Sequence, residues 1–341
     1  MKKIENTFNS SEKIKYPSIV NEYSSDGDIF LSIETTGLSP ERHRISSVTL
    51  GRLAASKTET VTYFSESEND ELTIIQAAIK DMKAFKRLVT FGGTNFDLKF
   101  LSKRAEVYAI RFDFNSSSVK FARHELKNFD LSQLLRPIRR FLPSESLSIY
   151  SLLPEMGLSD KSLPKGRTVT TLYKTYLTTG EKKYAEPVID HSVYKVTGIM
   201  NALALLNCLK INKANPSLLD ISRDEEAVTV NGTTDIFFPV ELTFNLPAIS
   251  LSFKENSLKG IFASNFPSHN GCIRIYLPDW NSYVRLKENG QLIPKELAKS
   301  LPKESYEKVT QADCYMLSPI PEDSAKAKDQ LEKYIRQLIR M

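Results

Sequence analysis

The chain has 341 residues, 41% of them hydrophobic and 26% charged, enough to bury a sizeable core and to form two domains. Its formal net charge of +5 and pI near 8.8 suit an anionic partner, yet fall short of the pI above about 9 that argues for nucleic acid by itself. Three widely spaced cysteines, Cys208, Cys272 and Cys314, are odd in number and form no CxxC pair, which argues against a disulfide framework or a zinc site. The opening MKKIENTFNSSEKIKYPSIV has no apolar run after its lysines, and no segment approaches the ~20 apolar residues of a membrane span. The expectation is a cytoplasmic protein with no membrane partner.

In chain order, residues 1–26 read as a polar N-terminal extension, only loosely ordered. Residues 27–210 read as one α/β domain, because short apolar runs alternate with amphipathic stretches. DIFLSIE (28–34) is expected as a central strand, since Ile29, Phe30, Leu31 and Ile33 make it apolar on both faces. ISSVTLGRLA and ETVTYFS read as two further strands. DELTIIQAAIKDMKAFKRL carries Leu72, Ile75, Ala78, Ile79, Met82 and Phe85 at helical spacing, and LVTFGG reads as a strand ending in a glycine turn. TNFDLKFLSKRAEVYA starts a helix, with Thr94 or Asn95 as its expected cap. Further helices are expected over roughly 131–140, 146–155, 168–178 and 181–208.

Residues 211–341 read as a β-rich C-terminal domain. EAVTVNGTTDIFFPVELTFNLPAISLSF alternates and is broken by Asn-Gly and Pro, as linked strands are. The domain closes on EDSAKAKDQLEKYIRQLIRM, an amphipathic helix whose Leu331, Tyr334, Ile335 and Leu338 line one face, most simply a docking face.

Two stretches bear on chemistry. Alternate residues of a strand point the same way, so Ser32 and Glu34 present their side chains together. Asp97 stands in the first turn of a helix that follows a strand, at the carboxyl edge where α/β sites gather. Taken alone, Asp97 is equally a charge favoured by the helix dipole.

FLSIETTGLSPERHRI, TFGGTNFDLKFLSKRAEVYAI, FDLSQLLRPIRRFL and LYKTYLTTGEKKYAEPVIDHSVYKVTGIMNAL, in that order and spacing, resemble the YprB-type ribonuclease-H-like domain, a bacterial relative of DEDD 3'-5' exonucleases. The resemblance covers about 28–208. A later stretch, CIRIYLPDWNSYVRLKENGQLIPKELAKS, resembles the tail that follows this domain in some clostridial members. The implied fold is a mixed β-sheet flanked by helices, and the implied chemistry is phosphodiester hydrolysis with two Mg2+ or Mn2+ ions. By position, Glu34 and Asp97 match family carboxylates, His191 matches the residue that assists the attacking water, and Asp130 matches a further acidic position, taken as supporting. Two positions depart: Ser32 replaces the first aspartate and Lys195 the last.

Two divalent ions about 4 Å apart need several carboxylates on adjoining elements, and here an ammonium enters the set. Neighbouring Asp190, five residues along the helix, projects about 140° away from Lys195 and is not expected to substitute. The expectation is a nucleic-acid-binding protein that has lost catalysis and holds no cofactor. One alternative is an active metal-dependent 3'-5' exonuclease with a reduced ligand set of Glu34 and Asp97. A second is a structural protein binding a partner through its C-terminal region. Binding of single-stranded nucleic acid needs cationic contacts, for which Lys103, Arg104, Arg136, Arg139 and Arg140 are candidates, although solvated helix faces carry such charges routinely.

Overall fold

The computed structural model describes residues 1–54, 56–144, 146–159, 163–164, 166–223, 227–246, 249–263, 272–276, 283–288, 292–309, 315–319 and 324–340. The chain divides into two compact units, Met1–Leu209 and Lys210–Met341. Cys314 and residues 277–282 and 289–291 of the tail motif lie outside the described residues.

The first unit is built on eight strands: β1 (Lys2–Asn9), β2 (Asp28–Thr35), β3 (Ile45–Ala54), β4 (Lys57–Phe64), β5 (Arg87–Thr90), β6 (Phe112–Phe114), β7 (Ser118–Phe121) and β8 (His124–Asp130). They form one sheet in the order β1-β4-β3-β2-β5-β8-β7-β6. The three central strands β2, β5 and β8 run parallel, and the pairs outside them are antiparallel. This is the mixed sheet flanked by helices expected from the sequence. The parallel centre puts the carboxyl ends of β2, β5 and β8 along one edge.

The helices are α1 (Ser10–Lys13), α2 (Pro17–Tyr23), α3 (Glu71–Met82), α4 (Asp97–Val107), α5 (Leu131–Leu134), α6 (Ile149–Glu155), α7 (Gly166–Thr179) and α8 (Lys182–Ala202). Side-chain alternation in β2 and β3 separates two cores. Ile29, Leu31, Ile33, Val48 and Leu50 turn one way, into a cluster with Ile74, Ile75, Ala78 and Met82 of α3 and Leu98 and Leu101 of α4. On the other face α8 lies against β2, β3 and β4. There Ser47 Oγ meets Ser192 Oγ at 3.1 Å, and Gly51 leaves room for the Met200 terminus, which a Cβ at that position would displace.

Several expectations need correction. The first 26 residues are not a loose extension: β1 pairs residue for residue with β4, Lys2 opposite Phe64 through Asn9 opposite Lys57. Its polar, alternating side chains suit an edge strand exposed along one side. Neither Thr94 nor Asn95 caps α4; Phe96 holds that position without a side-chain bond. The turn is closed instead by main-chain bonds to Gly92 and Gly93, Gly92 sitting at φ +74. Lys182–Lys213 is, by length and composition, long and apolar enough to cross a membrane, contrary to the reading that no segment approaches it. With 78% of its most apolar window buried, it is here the core helix of an α/β layer.

The second unit holds β9 (Pro216–Arg223), β10 (Ala227–Leu246) and β11 (Ile249–Ala263) in an antiparallel sheet of order β11-β10-β9. Asn231-Gly232 does not form a hairpin turn but lies within β10, where the pairing with β9 shifts register. Shorter pairs follow: β12 (Cys272–Tyr276) with β16 (Tyr315–Pro319), and β13 (Tyr283–Leu286) with β14 (Leu292–Pro294) and β15 (Tyr306–Lys308). The helices here are α9 (Lys295–Ala298) and α10 (Ser324–Arg340). Leu331, Tyr334, Ile335 and Leu338 of α10 are buried, with Tyr334 beside Phe262 at 6.4 Å between ring centres. The amphipathic stripe thus serves this unit's own core.

Candidate functional site

The side chains that matter come from β2, from the start of α4 and from α8, with one contribution from α6. On β2, Ser32 and Glu34 project toward α8, opposite to Leu31 and Ile33. Glu34 Oε1 lies 3.2 Å from His191 Nδ1 and 3.7 Å from Lys195 Nζ. Asp97 Oδ1 lies 3.7 Å from the same amine and accepts a hydrogen bond from the Ile33 amide at 3.0 Å. The Lys195 amine also donates to the Ile33 carbonyl at 3.1 Å. The two polar groups of one residue of β2 are therefore claimed by two side chains distant in sequence, which pins α4 and α8 to the same point of the sheet.

All of this is largely out of water. Asp97 and His191 are buried, and the Glu34 and Lys195 side chains keep only 12% and 13% of their exposure. Burial would push Glu34 up, but the Lys195 ammonium and His191 hold it below the usual carboxylate range. For Asp97, burial outweighs the ammonium and raises it. Burial would lower Lys195, but Asp97 and Glu34 together hold the amine above its ordinary value, so it stays charged. Ser32 Oγ is buried with no hydrogen-bond partner among the described residues.

The pattern does not fit two divalent cations. Glu34, Asp97 and Lys195 leave one net negative charge where four carboxylates would supply four. A divalent ion 4 Å from the ammonium would be repelled by about 8 kcal/mol at an effective dielectric of ~20. Among the described residues no cluster of three or more His, Cys, Asp or Glu side chains has a metal-holding arrangement. Asp190 does not compensate: it is exposed and borders a separate cavity of about 450 Å³ with Asn6, Phe8, Tyr194 and Asn201.

Asp130 has a different role from Glu34 and Asp97, which face Lys195. Its Oδ1 accepts from the Gly92 amide at 2.7 Å and from Ser132, while Oδ2 accepts from the Thr94 amide at 3.0 Å. It caps α5 and shapes the turn that delivers Asp97.

The cationic candidates separate. Arg104 is buried and spent: it grips both oxygens of Glu71 at 2.8 and 2.6 Å and the Pro40 carbonyl at 3.0 Å. It is a structural clamp rather than a phosphate ligand, because helix α4 turns that side chain into the layer against α3. Lys103 is exposed and pairs with Glu106 at 3.0 Å. Arg136, Arg139 and Arg140 are exposed on the 3-10 turn Arg136–Phe141, where they line a cavity of about 540 Å³ with Pro137, Leu142, Pro143 and Ser144.

One residue escaped the sequence reading. The Tyr150 hydroxyl lies 3.3 Å from His191 Nε2, and its ring stacks on the imidazole with centres 5.7 Å apart and planes 19° apart. Nothing in its neighbourhood signals this, since α6 meets α8 only in three dimensions.

No curated protein matches the chain. Among solved structures, the family B DNA polymerase from the hyperthermophilic archaeon Pyrobaculum calidifontis is similar, at 12% identity with a TM-score of 0.41, over 92% of this chain. The chain spans 45% of that protein's length. A family model described as the RNase_H superfamily matches residues 29–200, just over half of the chain, from the second residue of β2, which carries Glu34, into α8, which carries His191 and Lys195. Because that match covers just over half of the chain, the chain belongs to the RNase_H superfamily.

Proposed function

We propose that this protein is a YprB-type member of its superfamily that binds single-stranded nucleic acid without hydrolysing it. One observation carries the reading: the Lys195 ammonium sits 3.7 Å from both Glu34 and Asp97, where a hydrolytic site of this kind would hold a cation. An ammonium of charge +1 offsets one of the two carboxylates, but it has no coordination position in which to bind a water and lower its pKa as a divalent ion does, so the two-metal route to a nucleophile is closed at this point. The fold's carboxyl edge and the exposed arginines of the Arg136–Phe141 turn offer a surface for phosphate. Along the chain the turn lies between Asp130, which orders the loop before Asp97, and Tyr150, which contacts His191.

The test is fluorescence anisotropy of labelled single-stranded DNA and RNA in EDTA, beside a degradation assay in manganese. Binding in EDTA with no loss of label length is the expected result. Degradation by the wild-type protein, abolished by Asp97→Asn, would overturn the proposal in favour of an exonuclease with a reduced ligand set.

A further inference from the structure

We infer that Tyr150 is a stacking platform for one unpaired nucleobase at the mouth of the site; this rests on the nucleic-acid reading proposed above. Helix α6 starts at Ser148, whose side chain caps the Ser151 amide, and buries Ile149, Leu152 and Leu153. Those anchors leave Tyr150 on the opposite side with 46% of its surface exposed.

Exposure alone means little for an aromatic residue. What distinguishes Tyr150 is that a half-exposed ring is held in place. The His191 imidazole lies parallel to it, and the hydroxyl is fixed beside His191 Nε2. His191 is itself buried and within 3.2 Å of Glu34, so the stack is continuous with the charged centre. A ring ordered in advance loses little freedom when a base covers it. Burial of the phenol against the site pushes its pKa up, so the platform stays neutral and does not repel phosphate.

The second half of a single-strand site is a cationic track beside the stacking surface. Arg136, Arg139, Arg140 and Ser144 line a cavity whose last residue is six positions before Tyr150, a separation of at most about 20 Å along the chain. The chemistry recognised is a base with an exposed face joined to a phosphate backbone. Duplex nucleic acid, whose bases are already stacked, does not meet it.

The experiment compares two oligonucleotides of equal length and charge, one with normal bases and one with abasic residues throughout, for wild type, Tyr150→Leu and Tyr150→Trp. Leu keeps a smaller apolar side chain without a π face, and thermal melts check that each variant is folded. The expected result is that Tyr150→Leu weakens binding of the normal oligonucleotide by about 5- to 150-fold, the range of one stacked base, while Tyr150→Trp retains it. Neither variant should change the abasic affinity. Equal affinity of wild type and Tyr150→Leu for the normal oligonucleotide would overturn the stacking assignment while leaving nucleic-acid binding intact. Failure of wild type to bind either oligonucleotide would overturn both.

Discussion

The Lys195 ammonium and the Glu34 carboxylate face each other at 3.7 Å across the packing of α8 on β2, within a site largely closed to water. Removing one partner of a buried pair leaves an uncompensated charge, which typically costs about 3–5 kcal/mol. Lys195→Met should therefore destabilise the protein by that order, with Glu34 and Asp97 left to repel each other. Urea unfolding followed by circular dichroism measures it; an unchanged midpoint would mean that the amine contributes nothing to the fold.

The same amine predicts an alkaline limit. Its folded-state pKa lies above the ordinary value near 10.5, so over that interval the folded protein keeps a proton that the unfolded chain has released. The Lys195 contribution is complete below the unfolded value and is lost as pH rises through the folded one, at a slope of up to about 1.4 kcal/mol per pH unit. Stability curves between about pH 9 and 12 should fall more steeply for wild type than for Lys195→Met. Parallel curves would contradict the assignment.

Magnesium or manganese at millimolar concentration should leave the melting temperature unchanged, because a ligand stabilises only through its affinity for the folded state. Ser32→Asp combined with Lys195→Asp should bind the metals in a calorimetric titration, and each single change should recover little. Ser32→Asp alone keeps the ammonium in place, and Lys195→Asp alone still lacks an oxygen from β2. Metal binding by either single variant as strong as by the double one would refute this interdependence.

Asp130→Ala should cost about 2 kcal/mol or more, since it leaves the Gly92 and Thr94 amides and the start of α5 without their acceptor. Its effect is on stability and on the placing of Asp97. A variant as stable as wild type would show that solvent replaces those bonds.

Replacing Arg136, Arg139 and Arg140 together by Gln should weaken oligonucleotide binding and lower the magnitude of the salt slope by about 0.7 for each phosphate that is no longer neutralised. Lys103→Gln should change neither stability nor binding much. Arg104→Gln should instead destabilise, because Glu71 would be left buried and half-paired. An Arg104→Gln protein of native stability with weakened binding would reverse these roles.

Local pattern alone specified β2, β3, β4, α3 and α8, because each carries enough apolar residues at a single period to be recognised. It also paired Ser32 with Glu34 on one face, since strand alternation is a property of the backbone. The short strands β6, β7 and β8 went unread: three to seven residues, rich in polar groups, hold too little periodicity, and only their neighbours in the sheet make them strands. Asn231-Gly232 has the composition of a turn, yet cross-strand pairing on both sides kept it within β10. Arg104 and Lys103 are adjacent and alike in charge; their different fates depend on which way α4 faces, which packing against α3 decides. The meeting of Lys195 with Ile33, 162 positions apart, and of Tyr150 with His191 exists only because the sheet and its helices close on one another. Chemistry-bearing residues could be named from the chain, but whether a charge is paired, spent or left open is set by neighbours that sequence order does not supply.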